Sequence, residues 1–176
     1  MSINYDEFLK WAPAASAVAS AIAAIAAAVN VGLQNRNTRR NRSIDLLLKK
    51  EADFDSPRMH KARAGAAKAL LAAKSDADDN IDCVLDFMEG VAGRVIGGDL
   101  EEDLAWSSFH HWFTHYYYAA SEIIRRTRTD DRSVWCDLVD LHERMEKLQA
   151  RRGSPLRNNL PGDIKDFLES EAKLLD

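Results

Sequence analysis

The sequence predicts an all-α protein: an N-terminal transmembrane helix continuing into a stalk, followed by a compact bundle of about five helices. Three observations carry this. Pro and Gly are scarce, 4 and 8 in 176 residues. Apolar residues recur at i, i+3 and i+4, and strand-like alternation is absent. Residues 11–35, WAPAASAVASAIAAIAAAVNVGLQN, carry no charged side chain. The expected layout is a short external tail at 1–10, a transmembrane helix at 11–33, a basic helical stalk at 34–55 and the bundle at 56–176.

At ~1.5 Å per residue, a helix over 11–33 reaches ~34 Å, enough for a hydrocarbon core of about 30 Å. Alanine dominates it, so insertion rests on the absence of charges as much as on Val18, Ile22, Ile25, Val29, Val31 and Leu33. A cleaved signal peptide fits less well: Asp6 and Glu7 precede the apolar run, which is long and ends in Arg36, Arg39, Arg40 and Arg42. A buried Ala-rich helix of a soluble bundle is the other alternative, because Ala is the best helix former. By the positive-inside rule the arginine side faces the cytoplasm, as in a bacterial inner membrane, and the N-terminus lies outside. Trp11, with Tyr5, sits where interfacial aromatics anchor the outer end. The four arginines are expected to contact anionic lipid headgroups. Small residues at Ser16, Ser20 and Ala24, and at Ala15, Ala19 and Ala23, would let two copies approach closely, so a homo-oligomer is a possible arrangement.

The elements follow in order. The anchor helix has no stop signal and runs on to about 53–55. Ser56 and Pro57 cap and open a helix to about Lys74. After the acidic loop SDADDN, the stripe Ile81, Val84, Leu85, Met88, Val91, Ala92, Val95, Ile96 marks a helix closed by Gly97 and Gly98. Asp99, with Glu102 three residues on, is expected to cap one long aromatic-rich helix ending near Arg128. Asp130 and Asp131 start the next, which Gly153, Ser154 and Pro155 stop. Pro161 opens a short final helix.

A net charge of −4 and a pI near 5.7 argue against nucleic-acid binding. A second basic cluster, Arg125, Arg126, Arg128 and Arg132, reads as the solvated end of a helix. Cys83 and Cys136 lack CxxC spacing and are expected to be reduced core hydrophobes; a disulfide would need the opposite topology. No phosphate loop, dinucleotide fingerprint or nucleophile pair is present, so no cofactor is expected.

The chemistry-bearing stretch is FHHWFTHYYY, residues 109–118. His111 and His115 stand at i, i+4, a spacing that presents two imidazoles to one metal. The glutamate that follows the first histidine in HExxH helices is absent, and Glu89 is one of several candidates for a third ligand. That gives a metal-dependent enzyme as one reading. The other makes His110, His111, His115 and Tyr118 an interaction surface. Glu89, on a strongly apolar helix, is expected to be a structural carboxylate receiving hydrogen bonds from Tyr116, Tyr117 or Trp106.

The stretch 81–118, with Phe87 and Glu89, then Gly98, Asp99 and Leu100, then Trp106, Phe109, Trp112 and Tyr116, resembles a bacterial family of uncharacterised proteins. It departs from the family at Met88, where a second aromatic is expected. The resemblance implies one N-terminal membrane helix, a basic stalk and a small helical domain of unknown function, and it implies no activity. The functional expectation is a membrane-tethered, non-enzymatic interaction or regulatory module with an unidentified protein partner. The alternatives are the metal-dependent enzyme and a soluble bundle that oligomerises through its Ala-rich helix.

Overall fold

The computed structural model describes the backbone of residues 5–72, 78–153 and 161–175, and the side chains of that set apart from 5–22, 24 and 161. The regular structure among the described residues is all helix: α1 Tyr5–Phe54, α2 Pro57–Leu71, α3 Asp79–Ile96, α4 Glu102–Ala119, α5 Ser121–Asp130, α6 Cys136–Arg151 and α7 Pro161–Glu171. The chain divides into two units, Met1–Asn41 and Arg42–Asp176.

In the first unit, α1 is uninterrupted, as an Ala-rich run without Gly or Pro signals beyond Pro13 and Gly32 allows. Ile25, Val29, Val31 and Leu33 are exposed, and so are Arg36, Arg39 and Arg40. Among the described residues no helix is long and apolar enough to cross a membrane. The side chains of Trp11 and most of the expected span lie outside those residues.

The second unit begins earlier than expected. The last turns of α1 belong to the bundle, because Ser43, Leu47 and Phe54 are buried in it, while Arg42 is exposed. The predicted stalk is therefore exposed all round only in its first part; beyond Arg42 one side is buried while Lys49 and others remain exposed. Phe54 packs against Phe87, Phe109 and Trp112 at centroid distances of 5.2, 5.8 and 5.2 Å. Helix α3 lies centrally, against α2, α4 and α6. Its predicted stripe is buried from Ile81 to Val95, with Leu85, Met88, Val91 and Ala92 fully enclosed and Ile96 half-buried. Close packing of α2 on α3 depends on Gly65, where a Cβ would stand 2.6 Å from the Asn80 side chain.

The helix ends explain most of the boundaries. Ser56 accepts from the Met59 amide at 3.2 Å and caps α2 as expected. Asp78 accepts from the Asn80 amide at 2.9 Å and caps α3. Gly97 and Gly98 end α3 in a Schellman motif: the Gly98 amide bonds Val95 O, the Asp99 amide bonds Arg94 O, and Gly98 takes φ +78°.

Three expectations are corrected. Asp99 does not cap α4; Glu101 occupies that position, and its amide donates to Ser43 Oγ of α1 at 2.7 Å. The single long helix expected to Arg128 is two, broken at Ala120 (φ −96°, ψ 6°), so among the described residues six helices follow α1 where about five were expected. The amides on either side still bond, Ala120 to Tyr116 O and Ile124 to Ala120 O, so the break is a tight bend without Gly or Pro. Finally, Asp131 ends α5 instead of opening α6. Its carboxylate accepts from the Ser133 amide and hydroxyl, closing an Asx turn. Trp135 follows at φ 49°, a left-handed conformation rare for a bulky residue, held by burial and by its Nε1 donating to Asp86 at 2.9 Å.

Candidate functional site

The aromatic and histidine side chains of α4 meet α7 in a groove of about 550 Å³ lined by His111, Trp112, His115, Asp166, Phe167 and Glu171. Its floor is ionic. Arg63 of α2 donates through Nε and Nη2 to the two oxygens of Glu171 at 2.7 and 2.6 Å, with both side chains almost wholly buried. The Tyr116 hydroxyl donates to Glu171 Oε2 at 2.9 Å and lies 3.2 Å from Arg63 O. The guanidinium lies 4.1 Å over the Phe54 ring. Burial, then the Glu171 charge, pushes the Tyr116 phenol well above its ordinary range, so it stays a donor. A fork-to-fork pair is how two buried charges satisfy one another, and here the tyrosine takes a remaining lone pair.

His111 and His115 come together, ring centroids 4.3 Å apart, but the surroundings of the histidines differ. His115 is buried, its ring stacked on Phe167 at 4.6 Å and its Nδ1 2.6 Å from His111 O. His111 is exposed, and burial of part of its ring lowers its pKa. His110 is half-buried, stacked on Trp106 at 4.3 Å with Nδ1 3.0 Å from Trp106 O. Tyr118 turns to α6, where its hydroxyl donates to Glu146. The predicted surface of His110, His111, His115 and Tyr118 is thus divided: only His111 presents an exposed imidazole at the groove.

Glu89 lies at another helix end. Its carboxylate accepts from the Leu138 amide at 2.6 Å and the Asp137 amide at 3.3 Å, with Cys136 Sγ at 3.8 Å. It is a structural carboxylate, as expected, but its partners are the first amides of α6 rather than Tyr116, Tyr117 or Trp106. Because Trp135 at the N-cap makes no side-chain cap, Glu89 supplies from α3 the anion that the start of α6 favours. Committed there, it does not join His111 and His115. Among the described residues, no three His, Cys, Asp or Glu side chains are grouped to hold a metal ion. Cys83 and Cys136 are free and partly buried.

Two features had weaker signals in the sequence. His142 of α6 is buried, stacked on Tyr117 at 3.7 Å, with an Nε2 that has no hydrogen-bond partner and lies 3.9 Å from Glu146. Burial lowers its pKa. A second cavity, about 670 Å³, is acidic, with Asp53, Asp79, Asp82 and Asp86 in its wall; burial, then the neighbouring aspartates, raises the Asp82 pKa. Arg63 and Glu171 were the residues that sequence reasoning missed. Arg63 follows the apolar Ala62 on an otherwise unremarkable face, and its partner is 108 residues away.

No curated protein and no solved structure matches the chain. A family model matches residues 14–145, from within the Ala-rich part of α1 through most of α6, and stops short of α7. Most of the chain is covered, and the protein accordingly belongs to the family defined by a domain of unknown function, DUF4760.

Proposed function

We propose that the protein is a membrane-tethered, non-enzymatic interaction or regulatory module. Residues 11–33 hold it in a bacterial inner membrane, with the N-terminus outside and the helical domain in the cytoplasm. One observation carries this reading: Ile25, Val29, Val31 and Leu33 are 65, 57, 56 and 55 % exposed on a helix that next presents Arg36, Arg39, Arg40 and Arg42, all exposed. Side chains of this kind gain about 1.5–3 kcal/mol each on leaving water. A bilayer offers that transfer, and arginines just beyond it meet anionic headgroups. The sequence from Trp11 onward is likewise uncharged. The domain's working face is the α4–α7 groove, where His111 and Trp112 reach the surface beside Asp166.

Alkaline carbonate extraction of membranes from expressing cells tests the tether. The protein is expected in the pellet. Release into the supernatant overturns the reading. If the released protein also ran as a defined oligomer, the same exposed aliphatics would be serving a second copy of the chain.

A further inference from the structure

The arginine cluster that ends α5 lines a cavity. Ser121, Arg125, Arg128 and Thr129 recur at intervals of four and three or four residues, so they share one face of α5, and Arg132 continues that face into the following turn. With Tyr117 of α4 they line a cavity of about 380 Å³ whose wall contains three guanidinium groups, three hydroxyls and no carboxylate. In a chain with net charge −4, this contrasts with the aspartate-lined cavity and with the α4–α7 groove.

The guanidinium groups are arranged unequally. Arg128 is partly buried and fixed, its Nη1 donating to Val134 O at 2.8 Å, which leaves further N–H groups for a ligand. Arg125 is shared, since Nε and Nη2 engage Glu122 at 2.9 and 2.7 Å. Glu122 is also bound by Arg126, so it keeps a partner if Arg125 turns away. Arg132 is exposed at the rim. The Thr129 hydroxyl is committed to Arg125 O at 2.9 Å, and the guanidinium forks with the Ser121 and Tyr117 hydroxyls beside them match the oxygens of a phosphate group.

We propose that this cavity between α4, α5 and α6 is a phosphate-binding site. Arg128 and Arg132 are its primary contacts, and Arg125 is recruited from Glu122 on binding. The phosphate is either a free phosphate monoester or that of a phospholipid headgroup. The site does not depend on residues 11–33, so it stands or falls separately from the tether.

The test is calorimetric titration of the full chain in neutral detergent with two probes, inorganic phosphate and glycerophosphoglycerol, the deacylated headgroup of an anionic phospholipid. Saturable binding of at least one is expected, weakened tenfold or more in Arg132→Gln and abolished in Arg125→Gln/Arg132→Gln. Glu122→Gln frees Arg125 and is expected to tighten binding several-fold, a gain that simple misfolding would not produce. Lys61→Gln/Lys68→Gln, at exposed positions on α2 that do not line the cavity, should leave the affinity unchanged. Preference for phosphate assigns a monoester and preference for the diester assigns a lipid headgroup. If neither probe saturates, or if folded Arg125→Gln/Arg132→Gln binds as the parent does, the proposal is overturned.

Discussion

Replacing Glu171 by Ala removes one partner of a buried ion pair and leaves Arg63, 4 % exposed, with its charge uncompensated. Two short guanidinium hydrogen bonds and the one from Tyr116 disappear together. Breaking a buried pair from one side costs about 3–5 kcal/mol, whereas exchanging both partners for apolar residues is often neutral or stabilising. Set against a total stability of about 5–15 kcal/mol, the single change is large. Glu171→Ala is therefore expected to lose about 3–5 kcal/mol, Arg63→Met a similar amount, and Arg63→Met/Glu171→Leu far less than their sum. Tyr116→Phe, which deletes only the hydroxyl, should cost about 1–2 kcal/mol. Denaturant unfolding with matched m-values measures all four, and hydrogen exchange shows whether protection is lost first in α7. A cost below about 1 kcal/mol for Glu171→Ala, or strict additivity of the double variant, would refute the claim that this pair fixes α7 to α2.

Further outcomes follow from the other contacts. Glu89→Ala, which leaves the Asp137 and Leu138 amides without their acceptor, should destabilise by about 0.5–2 kcal/mol, the range of a lost helix cap, seen as a lower denaturant midpoint. Gly65→Ala should cost about 1–3 kcal/mol through overpacking on Asn80, and much of that should return in Gly65→Ala/Asn80→Ala. His142 has a folded pKa below the ordinary 6.5, so in that window the unfolded chain binds more protons. Stability is then flat above about pH 6.5 and falls on acidification, with a slope approaching about 1.4 kcal/mol per pH unit for one proton. His142→Phe, which keeps the ring on Tyr117, should reduce that slope in thermal melts taken between pH 7 and 5. His110 and His111, also shifted down by burial, keep it from vanishing.

The parts of this fold legible in the sequence are those governed by local pattern. The α3 stripe from Ile81 to Val95 is the buried face of that helix, and Ser56 and Gly98 mark real ends because a hydroxyl cap and a left-handed glycine act within four residues. The bend at Ala120 was not legible, since neither Gly nor Pro marks it. The start of α6 was misplaced because Asp131 has two local uses, and the Asx turn with Ser133 prevails over a helix cap. The candidate site was half legible. The aromatic run 109–118 lies on the helix that walls the α4–α7 groove, but the spacing of His111 and His115 gives no hint that His115 is stacked on Phe167. The pairing of Arg63 with Glu171, and the capping of distant helices by Ser43 and Glu89, join residues far apart in sequence, so no local pattern announces them.

The central claim is an oriented tether, and protease protection in membrane vesicles of opposite sidedness tests it most directly. In inverted vesicles the domain beyond residue 42 is expected to be digested, leaving a short protected fragment that contains residues 11–33. In right-side-out vesicles the domain should remain intact. Digestion from the outer face, or protein found wholly in the soluble fraction, would contradict the account.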